Sequence, residues 1–454
     1  MELKEKQALV IGTGLSGVGS VKLLLEQGAV VHVLEQNEKV TAEEVREKLR
    51  KEDRERVFVH IGALPKDVED EIAVVIPSPA VPLDTPFINS FKERGIPVWS
   101  EIEFAFRYSL GTLVAITGTN GKTTTTTLVY EIMKAHFKDV VLVGNIGYSF
   151  AERAALTTME SVVVAEVSSF QLEALDAFHA HVSAILNITP DHLNRHHTME
   201  AYAHYKAQVA HLQTKEDTCV LNYDNEYTRA IGEQVGAKVV YFSSTKPLEN
   251  GIYLQGDDIL MAQGGMPIRI MNRHDMHLVG ICNVENVMAA LAIALAMEVP
   301  LDTILHVVRH FKAVEHRIEF TATKAGVDYY NDSKATNPDA AIQGIRAMVK
   351  PTVLIGGGYD KDADYSDWID SFDGKVKELV LIGETKEKIA ACAKEHGFDA
   401  ITFCDSFEDA LKHATKVAEK GDAVLLSPAC ASWDMFTNYE TRGRVFKEYV
   451  NRLK

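Results

Sequence analysis

Lys122 lies in the stretch GTNGKTT (118–124), whose residue types suit phosphate binding although its glycine spacing is short. The common phosphate loop reads G-x-x-x-x-G-K-[ST], whereas position 116 is isoleucine here and the first glycine is Gly118. The stretch joins a predicted strand, LVAIT, to a predicted helix, KTTTTTLVYEIMKAH, as a phosphate loop requires. Backbone amides there could bind phosphates, Lys122 could reach the terminal ones, and the Thr123 hydroxyl could ligate Mg²⁺. The structural alternative is a glycine turn before a threonine-capped helix.

Carboxylates and imidazoles follow two further predicted strands. Glu166 ends SVVVAE, and NITPDHLNRHH (187–197), which follows HVSAILN, contains Asp191 and His192. Such ligands at neighbouring strand ends suit a cation that bridges phosphates, although each alone is typical of an ordinary surface group. His192 and His196, at i and i+4, leave a zinc site as an alternative, but no H-E-x-x-H pattern accompanies them.

A glycine-rich turn, GTGLSG (12–17), lies between the predicted strand QALVI and a predicted helix. Its G-x-G-x-x-G spacing permits a tight turn, and the start of the helix favours an anionic ligand. Glu35 ends the next strand, where an acid binds ribose in dinucleotide folds. The turn therefore predicts nucleotide binding, with a nicotinamide dinucleotide as one candidate and an unliganded βα turn as the structural alternative.

Three polar loops follow predicted strands in the last third of the chain. They are NDSKATNPDA (331–340), GGGYDKDAD (356–364) and SPACASWDMF (427–436). Open α/β sheets bind ligands at the carboxyl ends of their strands, so these loops predict a ligand site. Lys334 and Ser427, both beside strand ends, favour a carboxylate ligand over simple solvation of the loops.

Strand and helix patterns alternate along the whole chain in three successive α/β units. The length of 454 residues gives a prior of about three domains. Apolar strands that alternate with helices favour mostly parallel sheets with helices on both faces. A boundary near 97–100 precedes the second unit, and the alternation restarts after about Phe311. We therefore predict an α/β protein with domains at 1–98, 99–312 and 313–454.

Composition argues against several classes of protein. The net charge of −17 disfavours a nucleic-acid-binding protein, since such proteins carry a basic face. The apolar stretch 287–299 is too short for a membrane span, which needs about 20 residues, and the polar start does not resemble a signal peptide. The five cysteines form no CxxC pair and indicate reduced thiols. We expect a cytoplasmic protein with no nucleic-acid or membrane partner.

Six motifs occur in one order along the chain: GTNGKTT, AEVSSFQLE, NITPDHLNRH, VEHRIE, NDSKATN and LSPACASWDMF. Together they closely resemble the ATP-dependent Mur ligases, and the resemblance covers essentially the whole chain. NDSKATN and SPACASWDMF resemble the family member that adds D-glutamate. G-T-N-G-K-[ST] is the ATP loop of that family, which accounts for the short glycine spacing.

The resemblance implies a fold and a reaction. It implies an N-terminal Rossmann-like domain for a UDP-linked substrate, a central P-loop-type domain with a mostly parallel sheet for ATP, and a C-terminal Rossmann-like domain for the amino acid. ATP and Mg²⁺ would be the cofactors. UDP-N-acetylmuramoyl-L-alanine and D-glutamate would be joined through an acyl phosphate in peptidoglycan synthesis. We expect a monomer.

The resemblance also carries over four groups of contact residues. The substrate nucleotide and its muramoyl end would meet Leu15, Ser16, Glu35, Gln36, Ala80 and Asn145. ATP would meet Gly118, Thr119, Asn120, Gly121, Lys122, Thr123 and Thr124, with Asn286 at adenine, Arg317 at the phosphates and Asp332 at the ribose. Mg²⁺ would be held by Thr123, Glu166, His192 and Lys206. D-Glutamate would meet Lys334, Thr336, Lys361, Ser427 and Phe436. The catalytic residues would be Lys122, His192, Lys206 and Lys334.

Lys206, in AYAHYKAQ (201–208), matches the lysine that the family carbamylates to supply a Mg²⁺ ligand. From the residues alone, a surface lysine on a helix is the alternative. The sequence departs from the family pattern at three positions. Cys282 replaces a histidine, Asn194 replaces the acid of DHLDRH, and Ala80 replaces the glycine of SPG, which leaves the backbone contact at 80 open.

Three other functions fit parts of the sequence. A nicotinamide-dependent oxidoreductase would use GTGLSG and Glu35 but leaves GTNGKTT and NDSKATN unexplained. A non-catalytic ATP-binding or switch protein would bind the nucleotide without substrate-dependent phosphate release. A sister ligase that adds L-lysine, diaminopimelate or polyglutamate would share the ATP loop and prefer its own amino acid.

Overall fold

The chain folds into two compact units, which together contain three β-sheets and the helices that connect their strands. The computed structural model describes residues 2–312 and 314–453. Unit 1 comprises Met1–Met271 and Val287–Val308, and unit 2 comprises Asn272–Asn286 and Arg309–Lys454. Unit 1 contains the first two sheets and unit 2 contains the third. This confirms the α/β class, whereas the domain boundaries near 98 and 312 stay predictions.

The first sheet of unit 1 has four parallel strands in the order β3-β2-β1-β4. These are the first four positions of the Rossmann strand order 3-2-1-4-5-6. The strands are β1 (Gln7–Ile11), β2 (Val30–Glu35), β3 (Val57–Ile61) and β4 (Ile72–Pro77). The helices are α1 (Leu15–Glu26), α2 (Ala42–Lys48), α3 (Lys66–Glu71), α4 (Pro86–Glu93) and α5 (Glu101–Phe106). The predicted strands QALVI and VVHVL are β1 and β2.

The second sheet of unit 1 has nine strands in the order β13-β12-β11-β10-β9-β8-β5-β7-β6. They are β5 (Thr112–Thr117), β6 (Val140–Gly144), β7 (Val162–Glu166), β8 (Val182–Ile185), β9 (Thr218–Asn222), β10 (Lys238–Ser243), β11 (Gly251–Gln255), β12 (Asp258–Gln263) and β13 (Met266–Asn272). Pairing is parallel from β6 to β11 and antiparallel between β11 and β12. The mostly parallel central sheet is thereby confirmed. Every residue of β7 and β8 is buried, as is typical of parallel strands covered on both faces.

The helices that follow in the chain are α6 (Lys122–His136), α7 (Phe150–Arg153), α8 (Leu193–His196), α9 (Met199–Ala207), α10 (Glu226–Gly232), α11 (Ile281–Ala296) and α12 (Leu301–His310). Short 3-10 turns occupy Arg54–Arg56, Ala154–Leu156, Gln208–Ala210 and Arg273–Asp275. The predicted helix KTTTTTLVYEIMKAH coincides with α6. Within the described residues, the structure contains no helix with the length and hydrophobicity of a membrane span.

The sheet of unit 2 has six strands in the order β14-β15-β19-β16-β17-β18. They are β14 (Glu319–Lys324), β15 (Val327–Asn331), β16 (Thr352–Gly357), β17 (Val376–Ile382), β18 (Ile401–Phe403) and β19 (Ala423–Leu426). Only the β14–β15 hairpin is antiparallel among these described pairs. The helices are α13 (Pro338–Ala347), α14 (Ser366–Asp370), α15 (Lys386–Glu395), α16 (Phe407–Val417) and α17 (Tyr439–Arg452). The three predicted ligand loops follow β15, β16 and β19.

Polar contacts within unit 1 connect its two sheets. Lys22 on α1 donates to the carbonyl oxygen of Glu152 on α7 at 2.9 Å. The buried carboxylate of Glu101 on α5 accepts from the Ser149 hydroxyl and the Ala151 amide at 2.7 Å each. Burial raises the pKa of Glu101, and these donors oppose that shift. Residues from both sheets can therefore form one cleft of defined shape.

Candidate active site

A cleft of about 560 Å³ lies in unit 1, with residues of both sheets in its walls. The walls comprise the GTGLSG turn after β1, the end of β2, the loop 78–82 after β4, and residues that follow β6 and β7. Six residues predicted for the nucleotide substrate line it: Leu15, Ser16, Glu35, Gln36, Ala80 and Asn145. The structure brings this group together from four separate parts of the chain, and the contacts with a nucleotide stay predictions.

The three glycines of the GTGLSG turn meet different structural demands. Gly12 has a φ of +88°, and a β-carbon there would lie 2.9 Å from Ser78 Oγ. A β-carbon at Gly17 would overlap the carbonyl oxygen of Gly12. Gly14, the residue before α1, has a φ of −75° and open space where its β-carbon would be. Gly14 also lines the cleft, so its missing side chain favours close approach of an anion to the helix.

Separate alanine substitutions at Gly14 and Gly17 should distinguish ligand binding from folding. Gly17→Ala should lower the free energy of unfolding by about 2 kcal/mol, because the added carbon overlaps backbone. Gly14→Ala should change that free energy by less than about 0.5 kcal/mol, since nothing opposes the added carbon. Gly14→Ala should nevertheless weaken the binding of UDP by about tenfold, because the added carbon hinders the close approach of an anion to the helix. Denaturant unfolding and calorimetric titration measure the two effects, and equal stability losses in both variants would contradict this division.

The Glu35 carboxylate is held at the edge of the cleft. Its Oε2 accepts from Thr13 Oγ1 at 2.9 Å, and its Oε1 accepts from the Asn37 amide at 3.1 Å. Lys48 Nζ donates to Thr13 Oγ1 at 3.1 Å. Each carboxylate oxygen can accept more than one hydrogen bond, so Glu35 can still meet a ligand hydroxyl. Its orientation is set by the turn that it faces.

The GTNGKTT stretch forms the predicted junction between β5 and α6. Gly118 and Gly121 have φ values of +151° and +85°, which other residues rarely adopt. Asn187 holds the loop, because its Oδ1 accepts from the Asn120 amide at 2.8 Å and its Nδ2 donates to the Asn120 carbonyl oxygen at 3.1 Å. The Thr119 amide donates to the Asn187 carbonyl oxygen at 2.9 Å. Two loop amides are thus used within the protein, and binding of a phosphate at the N-terminus of α6 stays a prediction.

Two lysines share one carbonyl oxygen of this loop. Lys122 Nζ donates to the carbonyl oxygens of Gly118 and Thr119 at 2.8 Å each. Lys206 Nζ, from α9, donates to the Gly118 carbonyl oxygen at 2.7 Å. Lys206 is fully buried, so the alternative of a surface lysine is wrong. Burial and, next, the charge of Lys122 hold the pKa of Lys206 well below its usual range.

Glu166 ends β7 as the last residue of a fully buried strand. Its Oε1 accepts from Asn145 Nδ2 at 2.8 Å, whereas its Oε2 has no hydrogen-bond partner among the described residues. The charges of Asp191 and Glu166 both act on Lys206, which places the two acids beside the loop lysines. A buried carboxylate oxygen without a partner is costly unless a cation or donor meets it. Because Asn145 also lines the cleft, the cleft and the phosphate loop meet at Glu166.

His192 directly precedes the short helix α8 and has a left-handed conformation, with a φ of +55°. Its Nε2 lies 3.6 Å from Asp191 Oδ2, and its ring packs against Phe170 with centroids 4.8 Å apart. The side chain is 46% exposed and therefore accessible to a ligand. His196 is instead buried against the Ser169 hydroxyl at 2.9 Å, and burial lowers its pKa to about 4. The two imidazoles thus have different partners, which does not favour a shared zinc ion.

Arg195 connects the His192 loop to the wall of the cleft. Its Nε and Nη2 donate to the two carboxylate oxygens of Glu173 at 3.0 and 2.6 Å. Nη2 also donates to the Val81 carbonyl oxygen at 2.9 Å, and Val81 lines the cleft. Both side chains of the ion pair are largely buried. The only sequence signal for this role was the position of Arg195 in NITPDHLNRHH, three residues after His192.

Arg195→Lys should impair use of the cleft ligand more than use of ATP. Lysine keeps a positive charge beside Glu173 but lacks the fork that reaches Glu173 and Val81 together. We expect kcat/KM for the nucleotide substrate to fall by about tenfold, with the KM for ATP unchanged, because the cleft wall loses its link to the His192 loop. Arg46→Lys, on the surface of α2, is the matched control. An equal loss of kcat/KM for ATP and for the nucleotide substrate would contradict the assignment of Arg195 to the cleft wall.

Asp332 and Ser427 meet at the carboxyl ends of β15 and β19, where the strand-end loops predicted a site. Asp332 Oδ2 accepts from Ser427 Oγ at 2.7 Å, and Oδ1 accepts from the Ile318 amide at 3.1 Å. Burial raises the pKa of Asp332 to about 6, while the positive charge of Arg317 opposes that shift. The Ser427 hydroxyl therefore has a protein partner, and its contact with an amino acid stays a prediction.

Arg442 on α17 joins two of the three predicted ligand loops in unit 2. Its Nε donates to Ser333 Oγ at 2.9 Å, its Nη2 to the Ser333 carbonyl oxygen at 2.8 Å, and its Nη1 to the Cys430 carbonyl oxygen at 3.2 Å. The side chain is fully buried, and burial lowers its pKa to about 10. No feature of the sequence indicated this role, since an arginine in an amphipathic helix usually faces solvent.

Two predicted lysines of unit 2 lie beside aromatic rings. Lys334 Nζ is 5.7 Å from the ring centre of Tyr439, and Lys361 Nζ is 5.7 Å from that of Trp433. The neighbouring Ser432 hydroxyl is buried without a hydrogen-bond partner among the described residues. Cations, a hydroxyl and aromatic faces on these loops suit an anionic ligand with an apolar stem.

The remaining predicted residues have structural partners as well. Phe436 packs against Phe407 with ring centroids 5.2 Å apart, and Asn286 is buried and donates to Asn283 Oδ1 at 3.1 Å. The Thr336 amide donates to the carbonyl oxygen of Lys334 at 2.9 Å, within the same loop. Their proposed ligand contacts stay predictions.

Three family descriptions match consecutive parts of the chain. The MurD-like N-terminal domain of the Mur ligases matches residues 6–100, the Mur ligase middle domain matches 116–294, and the Mur ligase glutamate ligase domain matches 316–430. The UDP-N-acetylmuramoylalanine--D-glutamate ligase of Lachnospira eligens is 51% identical over 453 residues, covering 100% of both chains. The enzymes of that name from Lachnoclostridium phytofermentans and Clostridioides difficile are 48% and 44% identical, again covering 100% of both chains.

Solved structures of low identity share the fold. A pseudomurein peptide ligase type C of Methanothermus fervidus is 17% identical with a TM-score of 0.59, covering 98% of this chain and 100% of its own. The MurF ligase of Thermotoga maritima, in complex with ADP, is 15% identical with a TM-score of 0.60, covering 99% of this chain and 96% of its own. The likeness in fold thus extends over nearly the whole chain.

Proposed function

This chain belongs to the Mur ligase family, and on that premise we propose that it joins D-glutamate to UDP-N-acetylmuramoyl-L-alanine at the expense of ATP, a step of peptidoglycan synthesis. The observation that carries the proposal is the meeting of cleft and phosphate loop at Glu166. Asn145 lines the cleft and also donates to Glu166, which lies beside the loop lysines. A nucleotide-linked carboxylate in the cleft can therefore approach the terminal phosphate of ATP.

The reaction has two chemical steps. An oxygen of the alanyl carboxylate attacks the γ-phosphorus of ATP, which forms an acyl phosphate and releases ADP. The amine of D-glutamate then attacks the acyl carbon, and the tetrahedral intermediate expels phosphate as the amide forms. The amine loses a proton to water or to a base. The protein contributes positioning and charge compensation, as in other phosphoryl transfers.

The phosphate loop is assigned to the phosphates of ATP. Lys122 exchanges its carbonyl partners, Gly118 and Thr119, for phosphate oxygens and offsets the charge that gathers on the transferred group. Arg317 adds a second positive charge at the phosphates. Asn286 and Asp332 are assigned to adenine and ribose. The hydroxyl of Ser427 holds Asp332 in place for that contact.

The residues present fit a Mg²⁺ ion shared with phosphates. No group of three Asp, Glu, His or Cys side chains in the described part of the chain could hold a metal by itself. Mg²⁺ at phosphates takes one or two carboxylates and completes its shell with water and phosphate oxygens, and Glu166 Oε2 is a buried acceptor without a partner. Thr123, Glu166, His192 and carbamylated Lys206 would hold the ion. When bound, Mg²⁺ neutralises phosphate charge and polarises the γ-phosphorus.

Unit 2 is assigned to the incoming amino acid. Lys334 and Lys361 offer positive charges to the carboxylates of D-glutamate, and Thr336, Ser427 and Phe436 complete the predicted contacts. Arg442 acts as a positioning residue, since it ties the Ser333 and Cys430 loops together without needing to touch the substrate. We further propose that the protein acts as a monomer in the cytoplasm, which light scattering and fractionation would test.

Phosphate release tests the proposal directly. The protein is incubated with ATP, Mg²⁺ and UDP-N-acetylmuramoyl-L-alanine, and D-glutamate, L-glutamate, L-lysine or diaminopimelate is added separately. Release that requires both the nucleotide substrate and D-glutamate supports the proposal and assigns the stereochemistry. Release with another amino acid would assign a sister ligase instead. ATP binding without any release would favour a switch protein, and hydride transfer with a pyridine nucleotide would favour the oxidoreductase.

A further inference from the structure

A second cavity of about 380 Å³ lies within unit 2, at the opposite edge of its sheet from the proposed ligand loops. It is lined by Arg273, His274, Met276 and residues 278–281, by the end of α13, and by Ala423 at the start of β19. Ser427 follows the carboxyl end of β19. Ala423 in the cavity wall and Ser427 in the proposed ligand loop are therefore about 13 Å apart along the strand. The volume falls within the roughly 300–1,000 Å³ that is usual for small-molecule sites.

The inner surface of this cavity is apolar. Met276, Leu278, Val284 and Met348 are buried side chains among its lining residues. The half-buried Tyr330 adds an aromatic ring that packs edge-on against Phe320. Such a surface suits a flat or aliphatic body rather than a hydrated ion.

The polar part of the lining is cationic. Arg273, His274, Arg346 and Lys350 contribute to it, and none of its lining residues is an aspartate or glutamate. The chain as a whole has 64 Asp and Glu residues against 47 Lys and Arg residues, so a lining with three Lys or Arg residues and no acid is a local reversal of charge. Lys350 is paired with Asp328 at 2.5 Å. Arg346 is exposed at the cavity edge, and its carbonyl oxygen accepts from Lys375 Nζ at 3.1 Å.

The walls of the cavity continue into residues assigned to ATP. The lining residue Ile281 is the first residue of α11, and Asn286 follows in the same helix. The lining residue Ala347 ends α13, and α13 follows the loop that begins with Asp332. Gly280, with a φ of +89°, packs so closely that a β-carbon there would lie 2.6 Å from Ala347 Cβ. A ligand in the cavity would therefore touch α11, which contains Asn286, and α13, which follows the loop of Asp332.

We propose that this cavity binds a small amphipathic anion and that its occupancy changes the affinity of the enzyme for ATP. The apolar body rests on Met276, Leu278 and Val284, and the phosphate, sulfonate or carboxylate group faces Arg346. Binding of the anion is independent of the ligase reaction, whereas its effect on the affinity for ATP rests on the proposed function. Binding of the anion and its effect on ATP-analogue affinity are therefore measured separately.

Anilinonaphthalene sulfonate is a suitable probe, because it combines an aromatic body with one anionic group and fluoresces in apolar surroundings. The full chain is titrated with the probe in the presence of saturating UDP-N-acetylmuramoyl-L-alanine, with and without a non-hydrolysable ATP analogue. We expect one saturable site. Arg346→Glu should weaken the probe by about tenfold, because an attractive contact becomes repulsive. The control Arg452→Glu makes the same charge change on α17, at a side chain that is 80% exposed, and should leave binding unaltered.

Several results would overturn the proposal. These are the absence of saturable probe fluorescence, equal probe affinities in Arg346→Glu and Arg452→Glu, and simple competition between the probe and the ATP analogue for one site. The dissociation constant of the ATP analogue should shift severalfold in wild type when the probe is present, but not in Arg346→Glu. An unchanged constant would overturn the coupling to ATP. Thermal unfolding of each variant checks that the fold is retained.

Discussion

Lys122→Ala should lower the rate of ATP-dependent phosphate release by about a thousandfold, because it removes the charge closest to the transferred phosphate. Lys122 begins α6 and now donates to the Gly118 and Thr119 carbonyl oxygens, which are part of the loop that would hold ATP. Neither contact is part of the hydrophobic core, so the variant should fold. Phosphate assays stopped at fixed times, with ATP, the nucleotide substrate and D-glutamate all saturating, measure the loss in kcat.

Lys134→Ala is the matched control for this experiment. Lys134 lies on the same helix but is half exposed and pairs with Glu131 at 3.4 Å on the surface. Its loss should leave phosphate release unchanged, since an exposed ion pair contributes at most about 1 kcal/mol to stability. Phosphate release by Lys122→Ala at the wild-type rate, in a folded protein, would remove the phosphate loop from the mechanism.

The enzyme should require carbon dioxide for full activity, because CO₂ carbamylates Lys206. A neutral amine attacks the carbon of CO₂, forms a C–N bond and loses a proton, which leaves a carbamate anion. Burial and the nearby Lys122 lower the pKa of Lys206, so the neutral amine that reacts with CO₂ is favoured. The carbamate would then place a negative group beside Lys122 and the phosphate loop. Enzyme prepared without CO₂ should lose most of its activity and regain it with bicarbonate.

Lys206→Ala should lower kcat by about a hundredfold and should not respond to bicarbonate. Lys215→Ala, an exposed lysine that follows α9 in the chain, is the control and should retain both properties. Isotope-labelled bicarbonate should give a carbamate resonance in wild type that is missing from Lys206→Arg. Full activity in CO₂-depleted buffer, with no such resonance, would leave Lys206 as an uncarbamylated contact of the loop and remove it from the metal ligands.

The sequence was sufficient for the strands and helices next to the predicted ligand loops and for the location of those loops. Runs such as SVVVAE and KTTTTTLVYEIMKAH have a hydrophobic pattern that only one kind of element satisfies, and they form β7 and α6. GTNGKTT requires positive φ at Gly118 and Gly121, a local property that the residue types alone encode. The parallel sheets followed as well, because strands separated by helices cannot pair as hairpins.

Tertiary structure decided which distant groups meet. Asn187 holds the phosphate loop, Arg195 connects Glu173 with Val81, and Arg442 joins the loops of Ser333 and Cys430. These partners are separated by tens to more than a hundred residues, and no periodicity or spacing in one sequence reports such a contact. The burial of Lys206 also depended on the position of α9 beside the loop that follows β5, because its own helix has no strongly apolar face. Residue types therefore determined which chemistry was possible. Long-range packing determined which side chains are buried away from water and which partners they contact, and that chemistry depends on both.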